Sequence, residues 1–297
     1  MSRRAGSART TSAPAMVVVM AVAVSLLTAG CGSRPETGGS DDQDLASASA
    51  HRSRQVAAAW DGSAAAAEWR SGYHPMAEVV QPPHGGLRGR ADRRAYRERN
   101  FVLRGELPAT WPKTGRVTWS GSPPLTRPLT APAESYETLA GARVGDAPHL
   151  TVTGVEPGTM SLVTSRGPAT VPAWLLTLDG YDSPLRLAAA LPSELPASPI
   201  RPDRDLPGQP LRRLTGIAAD GRSVTVVALH GVCDDGPAVD VLETAGSAVL
   251  SALVKSREDG GTCTKQGKLE EVTVKLARPL GDRVLLDAHT GRPIAYR

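Results

Sequence analysis

Six arginines crowd one stretch of twelve residues, where only Asp92 and Glu98 oppose them: Arg88, Arg90, Arg93, Arg94, Arg97 and Arg99. A guanidinium group binds phosphate through two parallel hydrogen bonds, so this stretch could hold anionic lipid headgroups or a phosphate-bearing wall polymer. Tyr96 is its only aromatic residue, so it lacks the stacking platform that single-stranded nucleic acid needs. The alternative is a solvated helix face or loop without a ligand.

Motifs that carry catalysis are missing from the sequence. It contains no Gly-x-Ser-x-Gly elbow, Ser-x-x-Lys pair, His-Glu-x-x-His helix or Gly-rich phosphate loop. Its six histidines are scattered, although a catalytic triad can also be scattered in sequence. We therefore expect no catalytic residue and no cofactor, and an exported hydrolase acting on cell-wall material is the alternative.

The densest group of polar residues is the segment 230–236, with Asp240 close behind it. The carboxylates of Asp234, Asp235 and Asp240 could bind Ca²⁺ through oxygen ligands. Their spacing lacks the regular ligand ladder of calcium loops, whereas Asp and Gly are typical turn residues. The pattern favours a turn, and we expect no metal site.

The N-terminal segment has the order of an export signal. Arg3, Arg4 and Arg9 precede an apolar run over residues 16–29 in a stretch free of acids, and the chain then turns polar. A membrane-spanning helix needs about 20 apolar residues, and this run is shorter. A plain secretory signal is the other alternative, and the sequence leaves open whether export uses the general or the twin-arginine route.

Residues 27–31 (LTAGC) close that signal and resemble the lipobox of bacterial lipoproteins. The resemblance implies that residues 1–30 are a signal peptide and that Cys31 becomes the first residue, carrying diacylglyceryl and palmitate groups. Two or more acyl chains hold a protein on a bilayer essentially permanently. The expected location is the outer face of the cytoplasmic membrane, with the membrane as a partner through Cys31.

Composition adds two limits. Arginine supplies 29 of the 34 basic residues, and Ala, Gly and Pro are abundant, which indicates a GC-rich genome. The formal net charge of +4 falls to +1 without residues 1–30, which contain three arginines and no acid. Because the remaining chain is nearly neutral, its overall charge predicts no general affinity for nucleic acid.

Cysteine usage agrees with export. Once Cys31 carries lipid, Cys233 and Cys263 are the only thiols left, and a disulfide between them is the only pairing. Such a bridge stabilises by about 3–4 kcal/mol in the chain-entropy model. A zinc or redox role is the alternative, but zinc needs two further ligands and redox motifs use a closer pair.

Composition shifts divide the mature chain into four parts. Gly, Ser and Asp without apolar periodicity predict a disordered tether, and six prolines within nineteen residues predict a semi-rigid linker. The predicted parts are a tether at 31–53, an N-terminal α+β domain at 54–191, a Pro-rich linker at 192–211 and a C-terminal β domain at 212–297.

Short apolar runs with period-two alternation recur through both domains. Val272, Val274 and Leu276, for example, alternate with Thr273 and Lys275, as in a half-buried strand. The predicted fold class is mainly β (α+β). It comprises a short N-terminal helical element and a β-rich ectodomain whose C-terminal part is β-sandwich-like.

Several segments beyond the lipobox give the chain its resemblance to the uncharacterised lipoproteins of actinobacteria, the high-GC Gram-positive bacteria. The resemblance implies an address in the cell envelope and no particular reaction. The segments are 60–63 (WDGS), 164–169 (TSRGPA), 171–174 (VPAW), 279–283 (PLGDR) and 290–293 (TGRP).

These observations predict a non-enzymatic binding or interaction protein of the envelope, whose partner is a wall polymer, a small ligand or another envelope protein. Tryptophans can line sugar-binding clefts, but with one Phe in the chain they are expected in the core. The five are Trp60, Trp69, Trp111, Trp119 and Trp174.

Overall fold

Strands dominate the computed structural model, which describes residues 39–141, 147–255, 264 and 266–296. Their side chains alternate between buried and exposed, because successive residues of a strand point to opposite faces of the sheet. Val274, for example, is buried between the exposed Thr273 and Lys275. The expected fold class is confirmed: the chain is mainly β, with a helical element on its N-terminal side.

Local sequence signals account for the ends of two helices. The Ser63 hydroxyl accepts a hydrogen bond from the Ala66 N–H at 3.1 Å and caps the second helix, and Pro132 occupies the first turn of the fourth. The described residues form four helices: α1 (Gly39–Trp60), α2 (Ala64–Ser71), α3 (Arg90–Arg97) and α4 (Pro132–Leu139).

The N-terminal half builds a seven-stranded sheet from β1 (Val80–Gln81), β2 (Phe101–Leu103), β3 (Thr114–Trp119), β4 (Ser122–Pro128), β5 (Leu150–Thr164), β6 (Gly167–Leu178) and β7 (Leu185–Ala188). Strand β6 is its centre, because it pairs antiparallel with β5 along its whole length and with β3 and β7 on its other edge. Strand β2 extends the sheet by pairing parallel to β5. Gly167 makes the tight β5–β6 turn with a φ of +88°.

Strand β6 is buried on different faces in its two halves. Its odd-numbered residues at 169–173 belong to one apolar cluster, and its even-numbered residues at 174–178 belong to another. Since odd and even positions of a strand point to opposite faces, the two clusters lie on opposite faces of the sheet. Helices α3 and α4 cover the second cluster through Ala95, Tyr136 and Leu139.

The C-terminal half contains β8 (Arg213–Ile217), β9 (Ser223–Gly231), β10 (Pro237–Glu243), β11 (Ser247–Val254), β12 (Gly267–Lys275), β13 (Val284–Asp287) and β14 (Arg292–Pro293). They form a four-stranded sheet in the order β10-β11-β13-β14 and a three-stranded sheet in the order β12-β9-β8. Residues of both sheets share one apolar core, which is the sandwich-like arrangement expected from the sequence.

Helices α1 and α2 complete this C-terminal core. Val56, Trp60 and Trp69 are at most 1% exposed and belong to the same cluster as the sandwich strands. The Trp60 indole N–H donates to the Gly291 carbonyl at 2.7 Å, a hydrogen bond across 231 residues of sequence. The helical element assigned by sequence to the N-terminal domain therefore packs on the C-terminal strands.

Residues 39–53 differ from the predicted tether, because they belong to α1. Ser49, Arg52 and Ser53 are buried, and the Arg52 Nε–H donates to the Ala288 carbonyl at 3.0 Å. Tertiary contacts thus stabilise the helix over residues 39–53, whose composition has no apolar periodicity. Residues 31–38 of the predicted tether lie outside the described residues.

The Pro-rich segment 192–211 has neither helix nor strand, but it is packed against the rest of the chain. Leu206 and Leu211 are buried in the C-terminal core, and the Asp203 N–H donates to the His289 carbonyl at 2.9 Å. Residues Ser40–Arg297 form one compact unit. A fragment of residues 39–297 therefore keeps the whole described core.

A buried ion pair closes one end of the sandwich. The Arg283 Nη1–H donates to Glu243 Oε2 at 2.8 Å, and their side chains are 4% and 14% exposed. Burial raises the pKa of Glu243, but hydrogen bonds from the Ala277 N–H, Arg283 and the Arg278 N–H outweigh it and leave the pKa below its usual range. The carboxylate thus stabilises the fold in its charged form.

Glu243→Gln is expected to lower the free energy of unfolding at pH 7 by about 3 kcal/mol, because Arg283 stays buried without its counter-ion. The charged Glu243 contributes at pH values above the unfolded carboxyl pKa of about 4.3, and its contribution is lost as pH falls through the lower folded pKa. Urea unfolding at pH 7 and at acid pH measures both effects. Equal stability of Glu243→Gln and the exposed control Glu194→Gln at pH 7 would contradict this role.

Candidate functional site

Helix α3 carries the middle of the arginine-rich stretch, and its sequence suits a helix. Asp92 lies in its first turn and basic residues in its last, which matches the helix dipole. Ala95 is fully buried, and the Tyr96 ring packs edge-on against Phe101 with 6.2 Å between centroids. These contacts fix one face of α3 on the core and orient the opposite face.

Four arginines share the outer face of α3. Successive residues of a helix are rotated by about 100°, so Arg90, Arg93, Arg94 and Arg97 lie within one stripe of roughly 100°. All four are exposed, and Ala95 points to the opposite side. We call this stripe the arginine face.

Most of the hydrogen-bonding capacity of the arginine face is available to a ligand. Arg94 Nε donates to Glu98 Oε1 at 2.9 Å, and Arg93 Nη1 donates to the Leu87 carbonyl at 3.1 Å. The other two side chains make no hydrogen bond or ion pair with any residue that the structure describes. Since a guanidinium has five N–H donors, even the two tethered arginines retain free ones.

Arg88 lies before α3 and is held elsewhere. Its guanidinium carbon sits 4.8 Å from the centre of the Tyr181 ring, and its Nη2 is 4.0 Å from Asp182 Oδ2. The Tyr181 hydroxyl donates to Asp92 Oδ2 at 2.5 Å, and it accepts a hydrogen bond from the backbone N–H of Arg88 at 3.2 Å. Sequence reasoning could not find Tyr181 and Asp182 as its partners, because no local pattern connects them.

Arg99 supports the fold after α3. Its backbone has a φ of +55°, the left-handed conformation that often ends a helix and that glycine adopts most easily. Its guanidinium donates to the carbonyls of Thr138 and Leu139 at the end of α4, where helix carbonyls lack partners. The structure therefore gathers four of the six predicted ligand-binding arginines and separates Arg88 and Arg99 from them.

Two buried histidines stand out among the titratable groups. The His74 ring stacks on Trp69 with 4.2 Å between centroids, and burial, followed by the charge of Arg127, lowers its pKa to about 4. His230 Nε2 lies 3.4 Å from Glu270 Oε2. Within the described ranges, no three or more His, Cys, Asp or Glu side chains are grouped to hold a metal ion.

Asp234 takes the structural role that the sequence favoured for the polar segment. Its Oδ2 accepts a hydrogen bond from the Gly231 N–H at 2.6 Å, which fixes the turn that follows β9. Asp240 lies on β10 and is exposed. The carboxylate of Asp234 thus stabilises the turn.

The cysteines fall partly outside the described residues. Cys31 and Cys263 lie there, while Cys233 is in the turn after β9. The Val232 N–H donates to the Gln266 carbonyl at 3.0 Å, which brings the chain around Cys233 close to the segment that follows Cys263. This neighbourhood supports a Cys233–Cys263 disulfide, which stays a prediction, as does lipidation of Cys31.

The tryptophans supply core volume. Trp111 is the exception, since it is half-buried with the Lys113 Nζ 3.3 Å above its ring. No open row of indole rings is therefore present among these five for a sugar ligand to stack on. The four buried ones are Trp60, Trp69, Trp119 and Trp174.

Arg99→Ala is expected to destabilise the fold, whereas Arg90→Ala, on the arginine face, is not. Arg99→Ala removes the donors to the end of α4 and should lower the free energy of unfolding by about 1–2 kcal/mol, whereas Arg90→Ala should change it by less than about 0.5 kcal/mol. Urea unfolding of the 39–297 fragment measures both. Equal losses for the two variants would show that Arg99 has no special structural role.

Comparison with known proteins gives no relative from which to transfer a function. No protein-family model matches the chain, and neither the curated proteins nor the solved structures gave a significant match. Among the helices that the structure describes, none combines the length and the hydropathy needed to cross a bilayer. The surfaces of the chain itself are therefore the guide to its function.

Proposed function

We propose that this chain is a non-enzymatic binding protein of the cell envelope, anchored to the membrane through a lipid on Cys31. Its ligand is a phosphate-bearing anion, held on the arginine face of α3. The observation that carries the proposal is the convergence of Arg90, Arg93, Arg94 and Arg97 on one exposed stripe of a helix whose other side is buried.

The spacing of the arginine face suits a ligand with several phosphates. Arg90 and Arg97 are seven residues apart, or roughly 10 Å along the helix, so two phosphates of one polymer or of neighbouring headgroups could be held together. Each guanidinium can form two parallel hydrogen bonds to one phosphate. Ala95 and Tyr96 already fix α3 on the core. The helix therefore loses little conformational entropy when a ligand binds.

Nucleic acid is a poorer ligand for this surface. Tyr96, the one aromatic residue of the stretch, packs against Phe101 and the second apolar cluster. Its ring therefore offers bases no open platform, and stacking on aromatic rings supplies much of the affinity for single strands. Anionic lipids and wall polymers need no such platform.

Replacing Arg90, Arg93, Arg94 and Arg97 together by Gln is expected to weaken binding about a hundredfold or more, since each basic residue contributes about 1 kcal/mol at an anionic surface. The 39–297 fragment is sedimented with anionic vesicles and with cell walls before and after chemical removal of their phosphate polymers, across a salt series. If removal of the phosphate polymers abolishes binding to walls, the polymer is the ligand. If the fragment binds anionic vesicles, lipid headgroups are the ligand.

The matched control replaces four exposed arginines elsewhere by Gln and so changes the net charge equally: Arg104, Arg116, Arg204 and Arg212. It should bind like the unmodified fragment. Equal weakening by both sets would show that only net charge matters, and would contradict a site on α3. Release of soluble wall fragments during the assay would instead favour the hydrolase.

The anchor has its own prediction. Full-length protein with Cys31→Ser should lack the diacylglyceryl and palmitate groups, because residue 31 then has no thiol to carry them. Cys233→Ser should keep them. Mass spectrometry of the two chains measures the acyl mass directly, and an unmodified Cys31 in the Cys233→Ser chain would contradict lipidation.

A further inference from the structure

A crevice of about 210 Å³ lies where the two halves of the fold meet. From the N-terminal half it is lined by Met76 and by the chain around the β5–β6 turn, and from the C-terminal half by the β8–β9 turn and the segment 280–283. Met76 and Leu280 also belong to one apolar cluster, so the crevice reaches down to the core. Small-molecule sites often lie between two parts of a protein.

The lining of the crevice is mainly apolar. Val163 is 42% exposed although its side chain is apolar, whereas Met76 and Leu280 are buried. An apolar molecule in the crevice would remove Val163 and its apolar neighbours from water, which is favourable. The turns add little bulk, because three of the lining residues are glycines: Gly167, Gly221 and Gly281.

No charged side chain of the lining is available to a ligand. Among the described lining residues, Arg283 alone is charged, and its side chain is 4% exposed. Its guanidinium donates to Glu243 Oε2 and to the carbonyls of Arg278 and Pro279. A charged group that entered the crevice would lose water without gaining a counter-ion. The lining therefore selects against charged ligands.

The volume of the crevice limits the size of a ligand. An apolar cavity of about 150 Å³ is large enough to hold a benzene molecule, whereas drug-sized ligands occupy pockets of about 300–1,000 Å³. The crevice, at about 210 Å³, lies between the two. It suits a short hydrocarbon chain or a single ring.

We propose that this crevice binds a small, uncharged and mainly apolar molecule with a short hydrocarbon body. Met76, Val163 and Ile217 provide apolar contacts, and the bound molecule covers the exposed side chain of Val163. The crevice shares no residue with the arginine face, so this proposal is independent of the ligand of that face.

Nuclear magnetic resonance of the methionine methyl groups tests the site. The 39–297 fragment has two native methionines: Met76 lines the crevice, and Met160 is buried in another apolar cluster. Titration with 1-hexanol should shift the Met76 methyl signal saturably and leave that of Met160 unchanged. Hexanoate and hexylammonium should bind about tenfold more weakly or worse, because their charges find no partner in the crevice.

Two variants change the crevice itself. Val163→Thr keeps the shape of the side chain but replaces a methyl by a hydroxyl, and should weaken 1-hexanol binding about threefold or more. Ala218→Leu should abolish binding, because the larger side chain occupies the crevice. The matched control is Val232→Thr, the same substitution at a residue that is 45% exposed and lies outside the crevice. It should bind like the unmodified fragment.

Four results would overturn the proposal. They are the lack of any saturable shift at Met76, equal shifts at Met76 and Met160, unchanged binding by both crevice variants, and hexanoate or hexylammonium binding as tightly as 1-hexanol. Circular dichroism and the Met160 signal without ligand check that each variant is folded. A variant that fails this check is replaced by the other, since Val163→Thr and Ala218→Leu test the same crevice from its two sides.

Discussion

The fold depends on the contact between α1 and the last β-hairpin. Trp60 is fully buried, and its indole N–H bonds to the Gly291 carbonyl. The Arg52 side chain, two helical turns earlier, bonds to the Ala288 carbonyl. Together they join the first described helix to the last described strands, so the two ends of the described part of the chain complete one core. Without this helix, the apolar core that contains the sandwich strands would lose Val56, Ala57 and Trp60.

The core takes up most large apolar residues of the described chain, and the surface that the arginine face presents is polar. The arginine face presents side chains on a helix whose other side is buried. It is not a cleft of the kind that holds a small substrate. An open, charged surface of this kind suits recognition of an extended polyanion.

The sequence was sufficient where local pattern decides structure. The alternation at Val272 and Val274 predicted β12. The prolines at 192–211 predicted a semi-rigid linker, and nothing in their pattern shows that Leu206 and Leu211 pack into the core. The sequence was insufficient where distant contacts decide: α1 extends into the predicted tether because Arg52 finds a carbonyl 236 residues away.

The six arginines show the same limit. The helical spacing of Arg90, Arg93, Arg94 and Arg97 is present in the sequence, but it has meaning only once α3 is known to be a helix. That Arg99 caps α4 instead depends on carbonyls about 40 residues away.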